Sequence, residues 1–302
     1  MSSVCAVEFN DDRPPALSDV SAYAVLEREL QIGREIQAGF LPGQLPVPSG
    51  WELEAEFRPA RQVAGDFYDV FDLAVSQRTA VIVADVCDKG VGAALFMALI
   101  RTLLRHTVET GGLHSMSTLG WDPRDGLPRV GEAPLLHAVN STNRYLTRVH
   151  REQGYFATLF FGLFDASTGM VSYINCGHNP PLHVAADGRL LGELAPTGPA
   201  VGVLHSADFR VGRVQLKPGE SLFLFTDGVT DCRSSDGEFF GEQRLIALAS
   251  LPAPSARVQI ERIVRALEEH GGDGEQHDDI TLLVLRRCAE TETQITARNG
   301  LS

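Results

Sequence analysis

Three short apolar runs stand out in the hydrophobic pattern of the chain, and each of them meets aspartate at one end. The runs cover residues 79–85, 221–227 and 278–285, and they are rich in Val, Ile, Leu and Phe. Runs of this length and composition predict buried strands. Asp85, Asp227 and the adjacent pair Asp278 and Asp279 are therefore predicted to lie at strand ends, along the edge of a sheet.

The remaining pattern predicts helices on both sides of the strand runs. Strands are expected over 51–58, 67–74 and 79–86, in a turn-separated series from 156 to 227, and over 279–287. Helical spacing of apolar residues predicts helices over 91–108, 133–150, 241–250 and 255–270. Strand runs enclosed by helices, without regular alternation of the two, favour an α+β layered domain over a doubly wound fold.

The N-terminal region has a different pattern. Residues 1–21 show little periodicity and predict a flexible arm, whereas a helix is predicted from Ala22, and Pro42 ends the segment. The apolar stripe of this helix consists of Val25, Leu26, Leu30, Ile32, Ile36 and Phe40. The helix over 22–42 either packs on the following domain or acts as a dimerising or regulatory element. Residues 111–131, rich in Gly, Pro and Ser, predict a mobile loop, and 288–302 a disordered tail.

Composition narrows the classes of function. The chain has 302 residues, of which 44% are hydrophobic, enough for a large buried core. Its net charge of −13 argues against nucleic-acid binding. The five cysteines are scattered and lack metal-site spacing, which is typical of a reducing compartment and favours a cytoplasmic location. No signal peptide and no segment approaching transmembrane length is expected.

The clustered aspartates suggest metal binding. Asp66 joins Asp85, Asp227 and Asp278 as a carboxylate next to an apolar run. Carboxylates brought together at one sheet edge repel one another unless a cation lies between them. An all-oxygen, acid-rich ligand set suits Mg²⁺ or Mn²⁺. Taken alone, any one of these aspartates could equally be a strand-end or capping residue.

Six motifs in order make the pattern specific. They are VAGDFYD at 63–69, VADVCDKGVGAA at 83–94, FATLF at 156–160, CGHNPPL at 176–182, FTDGVTD at 225–231 and HDDIT at 277–281. In this order the chain resembles the PPM (PP2C-type) metal-dependent protein phosphatases, and within them the bacterial SpoIIE/RsbU branch. The resemblance covers nearly the whole chain, from about residue 26 to residue 287.

The resemblance implies a four-layer αββα sandwich over 43–287 and a site for two Mn²⁺ or Mg²⁺ ions. Matched motif by motif, Asp85 would bridge both ions and Val86 would offer its backbone carbonyl. Asp66 would bind metal directly or through water, and Asp227 and Asp278 would complete one ion's ligands. Two ions supply an activated water for attack on a phosphoester, so no nucleophilic side chain is needed. In agreement, the sequence has no Gly-x-Ser-x-Gly elbow, no Cys-x5-Arg and no Walker motif.

Several neighbouring acidic residues are weaker candidates. Asp278 is favoured over Asp279, because consecutive strand residues point to opposite faces. Asp69 and Asp231 are candidates for supporting the ligands. Asp88 stands where many relatives carry Gly, and it is predicted to be a solvated turn residue.

Three further residues are candidates for contacts with substrate. Arg58 and Arg61, before the Gly65–Asp66 turn, could hold the phosphate or could simply be solvated. His178, in a Gly- and Pro-rich turn, could donate a proton to the leaving alkoxide, although a structural role is the more common one for a polar residue in such a turn. At the turn itself, Ala64 replaces the Gly of many relatives.

The resemblance predicts hydrolysis of phosphoserine or phosphothreonine in a protein. For the SpoIIE/RsbU branch the implied substrate is an anti-anti-sigma factor of STAS type, with release of a sigma factor as the outcome. Two alternatives stay open. The chain could be a catalytically weak interaction module of the same fold, which the intact acidic motifs disfavour, or a hydrolase of small phosphoesters. A homodimer through the N-terminal helix is a further expectation.

Overall fold

A computed structural model describes residues 17–73, 78–118, 132–272 and 274–289 of the chain. The helices are α1 (Leu17–Ala38), α2 (Val91–Thr118), α3 (Ala133–Val149), α4 (Asp227–Thr230), α5 (Glu242–Ala249) and α6 (Ala256–Gly271). The strands are β1 (Trp51–Arg58), β2 (Phe67–Leu73), β3 (Arg78–Val86), β4 (Ala157–Asp165), β5 (Met170–Cys176), β6 (Leu182–Val184), β7 (Leu190–Glu193), β8 (Gly212–Gln215), β9 (Ser221–Phe225) and β10 (Ile280–Arg287).

The strands form two antiparallel sheets of five strands each. Sheet A has the order β1-β10-β9-β6-β7, and sheet B has the order β2-β3-β4-β5-β8. Sheet A therefore joins the first strand to the last one, with β1 and β10 paired along their full length from Trp51–Arg287 to Arg58–Ile280. This pairing closes the domain and brings the two ends of the folded region together.

Alternation along β3 shows how the layers are built. Ala80, Ile82 and Ala84 face the core beneath α2 and α3, whereas Val81 and Val83 face the core between the two sheets. A strand covered on both faces reads as a continuous apolar run, because side chains alternate between the two faces. A third core lies between sheet A and helices α5 and α6. The order of layers is helix, sheet, sheet, helix, which confirms the predicted αββα sandwich.

Helix α2 is longer than its apolar pattern predicted. The expected end near residue 108 and the expected loop from residue 111 were both wrong for residues 111–118, which are helical. Once a helix has formed, each added residue gains a hydrogen bond for the ordering of one residue, so propagation can include poor helix formers. The rest of the predicted loop, 119–131, lies outside the described residues, as do 1–16 of the arm and 290–302 of the tail.

Within the described chain, α2 over Val91–Gly111 is also long and apolar enough to cross a membrane, with a mean hydropathy of 1.3. We expected no segment to approach the length and apolar composition of a transmembrane helix, and by these two criteria the expectation was wrong. Met97, Ile100 and Leu104 of this helix are fully buried in the core against sheet B. Packing within the domain thus accounts for one apolar face of α2, whereas Val91 and Leu95 of the same helix are exposed.

Helix α1 begins at Leu17, five residues before the predicted start. Its apolar stripe is only partly covered by the domain: Val25, Leu26, Ile32 and Ile36 are each about half exposed, at 57%, 52%, 48% and 61%. The helix borders α2, and together they line a shallow apolar groove. Packing on the described domain therefore leaves most of the stripe open.

Candidate metal centre

Four of the predicted site residues meet at one edge of the sandwich. Asp66 precedes β2 and Asp85 lies near the end of β3, so both come from sheet B. Asp227 follows β9 as the first residue of α4, and Asp278 lies two residues before β10, so both come from sheet A. The stacking of the two sheets places these strand ends opposite each other and brings together residues up to 212 positions apart in sequence.

Burial, together with mutual repulsion, raises the pKa of three members of the acidic cluster, which is defined as Asp66, Asp85, Asp227 and Asp278. Burial, with the charges of Asp227 and Asp278 added, raises the pKa of Asp85 to about 7. Burial and the neighbouring Asp85 hold the pKa of Asp66 well above its ordinary value. The pKa of Asp227 is raised by burial and by Asp278. The edge therefore carries more negative charge than its surroundings stabilise.

Asp279 holds the loop that leads to Asp66. Its carboxylate is largely buried and accepts hydrogen bonds from the backbone N–H groups of Ala60 at 2.7 Å, Gly65 at 2.8 Å and Asp66 at 3.4 Å. The side chain thus points away from Asp278, into loop 59–66. Asp66 itself accepts a hydrogen bond from the Thr281 hydroxyl at 2.7 Å. Strand β10 therefore fixes Asp66 from the sheet A side, with Asp279 as the main anchor.

This geometry predicts effects of different size for the two adjacent aspartates. Asp279→Ala leaves three backbone N–H groups without their acceptor, and we expect it to destabilise the metal-free protein by about 2–4 kcal/mol. Asp278→Ala removes a repelling charge from the acidic cluster together with a partly exposed ion pair to Lys89, so the two effects offset and that stability should change little. Urea denaturation of both variants in EDTA measures the difference. If Asp279→Ala were as stable as the unchanged protein, Asp279 would not anchor the loop.

Helix α1 reaches the same loop through one polar side chain. The buried amide of Gln37 donates to the Ala64 carbonyl at 2.7 Å and accepts from the Ala64 N–H at 2.9 Å. Ala64 stands two residues before Asp66. Loop 59–66 is therefore held from both sides, by Gln37 of α1 and by Asp279 next to β10.

Two glycines allow the segments around the site to approach each other closely. A Cβ on Gly65 would lie 2.9 Å from the Val86 carbonyl oxygen, and a Cβ on Gly228 would lie 1.9 Å from the Asp279 carbonyl oxygen. Any side chain at Gly228 would collide with this backbone. The Val86 carbonyl thus lies against the turn that carries Asp66, next to Asp85.

A lysine faces the acidic cluster from sheet B. The Lys89 ammonium pairs with the Asp278 carboxylate at 2.8 Å and donates to the His277 carbonyl at 2.7 Å. The preceding Asp88 has a positive φ of 72° and accepts from the Lys89 N–H. Asp88 is exposed, and its left-handed backbone is a conformation that Gly adopts more readily than other residues.

The three candidate substrate residues differ in their surroundings, and Arg58 lines one pocket together with Asp231 and Asp278. Arg58 donates to Glu56 and to Glu268, at 2.7 Å in each case. Arg61 lies exposed on loop 59–66. His178 is 2% exposed, shares a hydrogen bond with the Thr158 hydroxyl, and has a pKa lowered to about 4 by burial. A buried, uncharged imidazole of this kind fits a structural role.

The two candidate supporting residues have different surroundings. Asp69 is fully buried and pairs with Arg101 at 3.0 Å and Arg105 at 3.3 Å, so it ties β2 to α2. Asp231 is exposed at the end of α4, where its charge adds to the repulsion that raises the pKa of Asp227. Asp231 therefore borders the acidic cluster. Asp69 instead holds β2, the strand that follows Asp66, against α2.

The donor set suits a hard divalent cation. Four carboxylates with raised pKa values or close acidic neighbours provide oxygen ligands and negative charge in excess. Among the described residues, no three His, Cys, Asp or Glu side chains converge on one point closely enough to hold an ion as they stand. Asp278 is instead turned toward Lys89. Binding would require these side chains to turn toward the ion.

Comparison with known proteins identifies the family and the fold of this chain. The family described as Stage II sporulation protein E (SpoIIE) matches residues 76–288. Protein IcfG of Synechocystis sp. is 41% identical over 267 residues, which cover 86% of this chain and 41% of IcfG. Phosphoserine phosphatase RsbU of Bacillus subtilis is 25% identical over 262 residues, covering 87% of this chain and 71% of RsbU.

Among solved structures, the fold is similar to that of a PP2C domain. The SiaA-PP2C domain of Pseudomonas aeruginosa superposes with a TM-score of 0.69 at 23% identity, covering 88% of this chain and 98% of that domain. The fold is that of the PP2C-type phosphatases, and the chain belongs to the SpoIIE family. The predicted family and fold are confirmed, and the name of RsbU, a phosphoserine phosphatase, agrees with the predicted enzyme class, a protein serine/threonine phosphatase. The chain spans less than half of IcfG.

Two residues at this site were not found by sequence reasoning. Lys89 stands inside the VADVCDKGVGAA motif, where a basic residue beside an aspartate-rich run is a usable signal. Gln37 interrupts the apolar stripe of α1, and a polar residue at such a position indicates a specific partner. The family match begins at residue 76, so the assignment of Asp66 depends on its motif and its position in the fold.

Proposed function

We propose that this chain is a metal-dependent phosphoprotein phosphatase that uses two Mn²⁺ or Mg²⁺ ions. The observation that carries the proposal is that four carboxylates lie at one edge of the sandwich, where burial and acidic neighbours raise the pKa of Asp66, Asp85 and Asp227. PP2C phosphatases in general use these two metals. Bound there, a pair of ions would supply an activated water and offset the charge of the phosphate oxygens.

Each residue of the cluster has its own task in this proposal. Asp85 would contact both ions, with the Val86 carbonyl as an adjacent oxygen ligand. Asp66 would contribute from the sheet B side, directly or through water, and Asp227 and Asp278 from the sheet A side. Loop 59–66, anchored by Asp279, keeps Asp66 in position for this role.

The surroundings of the three candidate substrate residues distinguish between them. The predicted substrate contacts of Arg58 compete with its two glutamate partners. His178 is buried and uncharged near neutral pH, which disfavours it as the proton donor to the leaving group. Arg61, exposed on loop 59–66, is the better candidate to meet the substrate phosphate.

We further propose that the substrate is a phosphorylated STAS-type anti-anti-sigma protein, and that the chain acts in the control of a sigma factor. The motif order of the SpoIIE/RsbU branch and the similarity to a phosphoserine phosphatase, RsbU, support this substrate class. The open edge of the sandwich at Asp278, which is 41% exposed, suits access by a folded protein.

One assay separates this proposal from its alternatives. Purified protein is given Mn²⁺ and either a small aryl phosphate or a serine-phosphorylated STAS domain, and phosphate release is measured with and without EDTA. Faster Mn²⁺-dependent release from the STAS domain supports the proposal. Release from the aryl phosphate alone would indicate a small-phosphoester hydrolase. Binding of the STAS domain without any release would indicate an interaction module.

We also propose that α1 regulates the phosphatase domain, by pairing with a second copy of the chain. The half-exposed apolar stripe of α1 continues into the groove beside α2, which leaves apolar surface for a partner helix. Gln37, on the same helix, contacts the loop before Asp66. Any shift of α1 on dimerisation would therefore act on the position of Asp66.

Polar substitutions in the stripe test this proposal. With Leu30→Ser and Ile36→Ser combined, we expect loss of dimer by sedimentation analysis and a several-fold change in turnover, because the regulated position of α1 is no longer favoured. Mn²⁺ affinity should change less than turnover. Gln31→Ala, at an exposed polar position of the same helix, is the control. A folded double variant with unchanged turnover and oligomeric state would show that α1 only packs on the domain.

A further inference from the structure

Within the described chain, Lys89 contacts the acidic cluster, and its ammonium group has two defined partners. Lys89 and Lys217 are the two lysines of the sequence. The Lys89 ammonium lies 2.8 Å from the Asp278 carboxylate and 2.7 Å from the His277 carbonyl. Its charge also favours ionised Asp227. One ammonium group thus offsets part of the negative charge of Asp227 and Asp278, the two cluster residues on the sheet A side.

The backbone before Lys89 is built to direct it across the cleft. Asp88 adopts a left-handed conformation, with φ at 72°, and Gly90 follows with φ at 85°. A non-glycine residue in this conformation costs about 1 kcal/mol, and such strain tends to collect at functional sites. The Asp88 carboxylate accepts from the Lys89 N–H at 2.8 Å and stabilises the turn. The turn carries Lys89 from the end of β3 to the segment before β10.

We propose that Lys89 is a built-in counter-ion of the metal centre, which competes with the divalent cation for the Asp278 carboxylate and so sets how much metal the site requires. This inference rests on the proposed metal-dependent function. In the metal-free protein, the ammonium satisfies Asp278. When an ion binds through Asp278, Lys89 has to release that carboxylate, and the lost contact lowers the apparent affinity for the ion.

Calorimetric titration of the metal-stripped protein with MnCl₂ tests the competition. Because the pair is partly exposed, with side chains at 37% and 41%, we expect Lys89→Met to tighten Mn²⁺ binding only about two- to fivefold. Lys89→Arg keeps a cation and should stay close to the unchanged protein. Lys217→Met removes the same charge from an exposed position outside the cluster and is the matched control.

A double-mutant cycle on the metal-free protein provides the second readout. Lys89→Met should lower the melting temperature in EDTA in the otherwise unchanged protein, but not when Asp278→Asn is already present, because the pair is then absent. Equal effects in both backgrounds, or Mn²⁺ binding that is unchanged or weaker in Lys89→Met, would overturn the inference. Absence of Mn²⁺ binding in the unchanged protein would overturn the proposed function as well.

Discussion

Replacing Asp85 with Asn is expected to lower phosphatase turnover by several orders of magnitude while the domain stays folded. Asp85 is the most centrally placed carboxylate of the cluster, since the charges of Asp227, Asp278 and Asp279 all act on its pKa. Removing its charge removes the oxygen ligand proposed to contact both ions, and with it the activated water. The substitution also relieves repulsion, so the metal-free variant should be at least as stable as the unchanged protein.

Phosphate release at saturating Mn²⁺ measures the loss, and thermal unfolding in EDTA checks the fold. Asp88→Asn is the matched control, because Asp88 lies three residues away on an exposed turn and its side-chain acceptor is kept by Asn. Near-normal Mn²⁺-dependent turnover in Asp85→Asn would rule out the assigned role. A variant that is inactive because it is unfolded would be recognised by its melting curve.

The second large effect is that bound metal should remove the pH dependence of stability expected for the metal-free protein. Burial and the acidic neighbours raise the pKa of Asp85 to about 7 in the folded state, compared with about 3.9 for an unfolded chain. Between these two values, the folded protein holds a proton that the unfolded chain has lost. The free energy of unfolding of the metal-free protein should therefore fall as the pH rises from about 4 to 7. Asp66, with its pKa also raised, adds in the same direction.

A divalent cation takes the place of the proton, so its binding should strengthen as the pH rises and remove this loss. At a hundredfold excess of Mn²⁺ over its Kd, linkage predicts about 2.7 kcal/mol of added stability, or roughly 5 °C or more in Tm. Melting curves at pH 5 and pH 7.5, each with EDTA and with Mn²⁺, measure both effects. Equal melting temperatures with and without Mn²⁺ at pH 7.5 would contradict the account.

The fold was largely predictable because apolar periodicity reports burial directly. The run at 79–85 alternates between two cores and appears in the structure as β3, paired on both sides. The end of α2 could not be predicted in the same way. Residues 111–118 have a loop-like composition, and only the propagation of the preceding helix accounts for their conformation.

The residues of the acidic cluster could be predicted from the sequence, but the contacts that hold them in place could not. A carboxylate at the tip of an apolar run marks a sheet edge, and ordered motifs indicate that several such tips meet. The partners of Asp279 and Gln37 are backbone groups of loop 59–66, which have no sequence signature. The contact from Lys89 to Asp278 joins residues 189 positions apart and depends on the stacking of the two sheets.

The central claim is that the acidic cluster binds the divalent cations that hydrolyse the phosphoester. Calorimetric titration of the metal-stripped protein with MnCl₂, beside the Asp85→Asn variant, tests it most directly. The account predicts two Mn²⁺ sites per chain in the unchanged protein and the loss of at least one of them in Asp85→Asn. Identical titrations of the two proteins, or no binding by either, would contradict it.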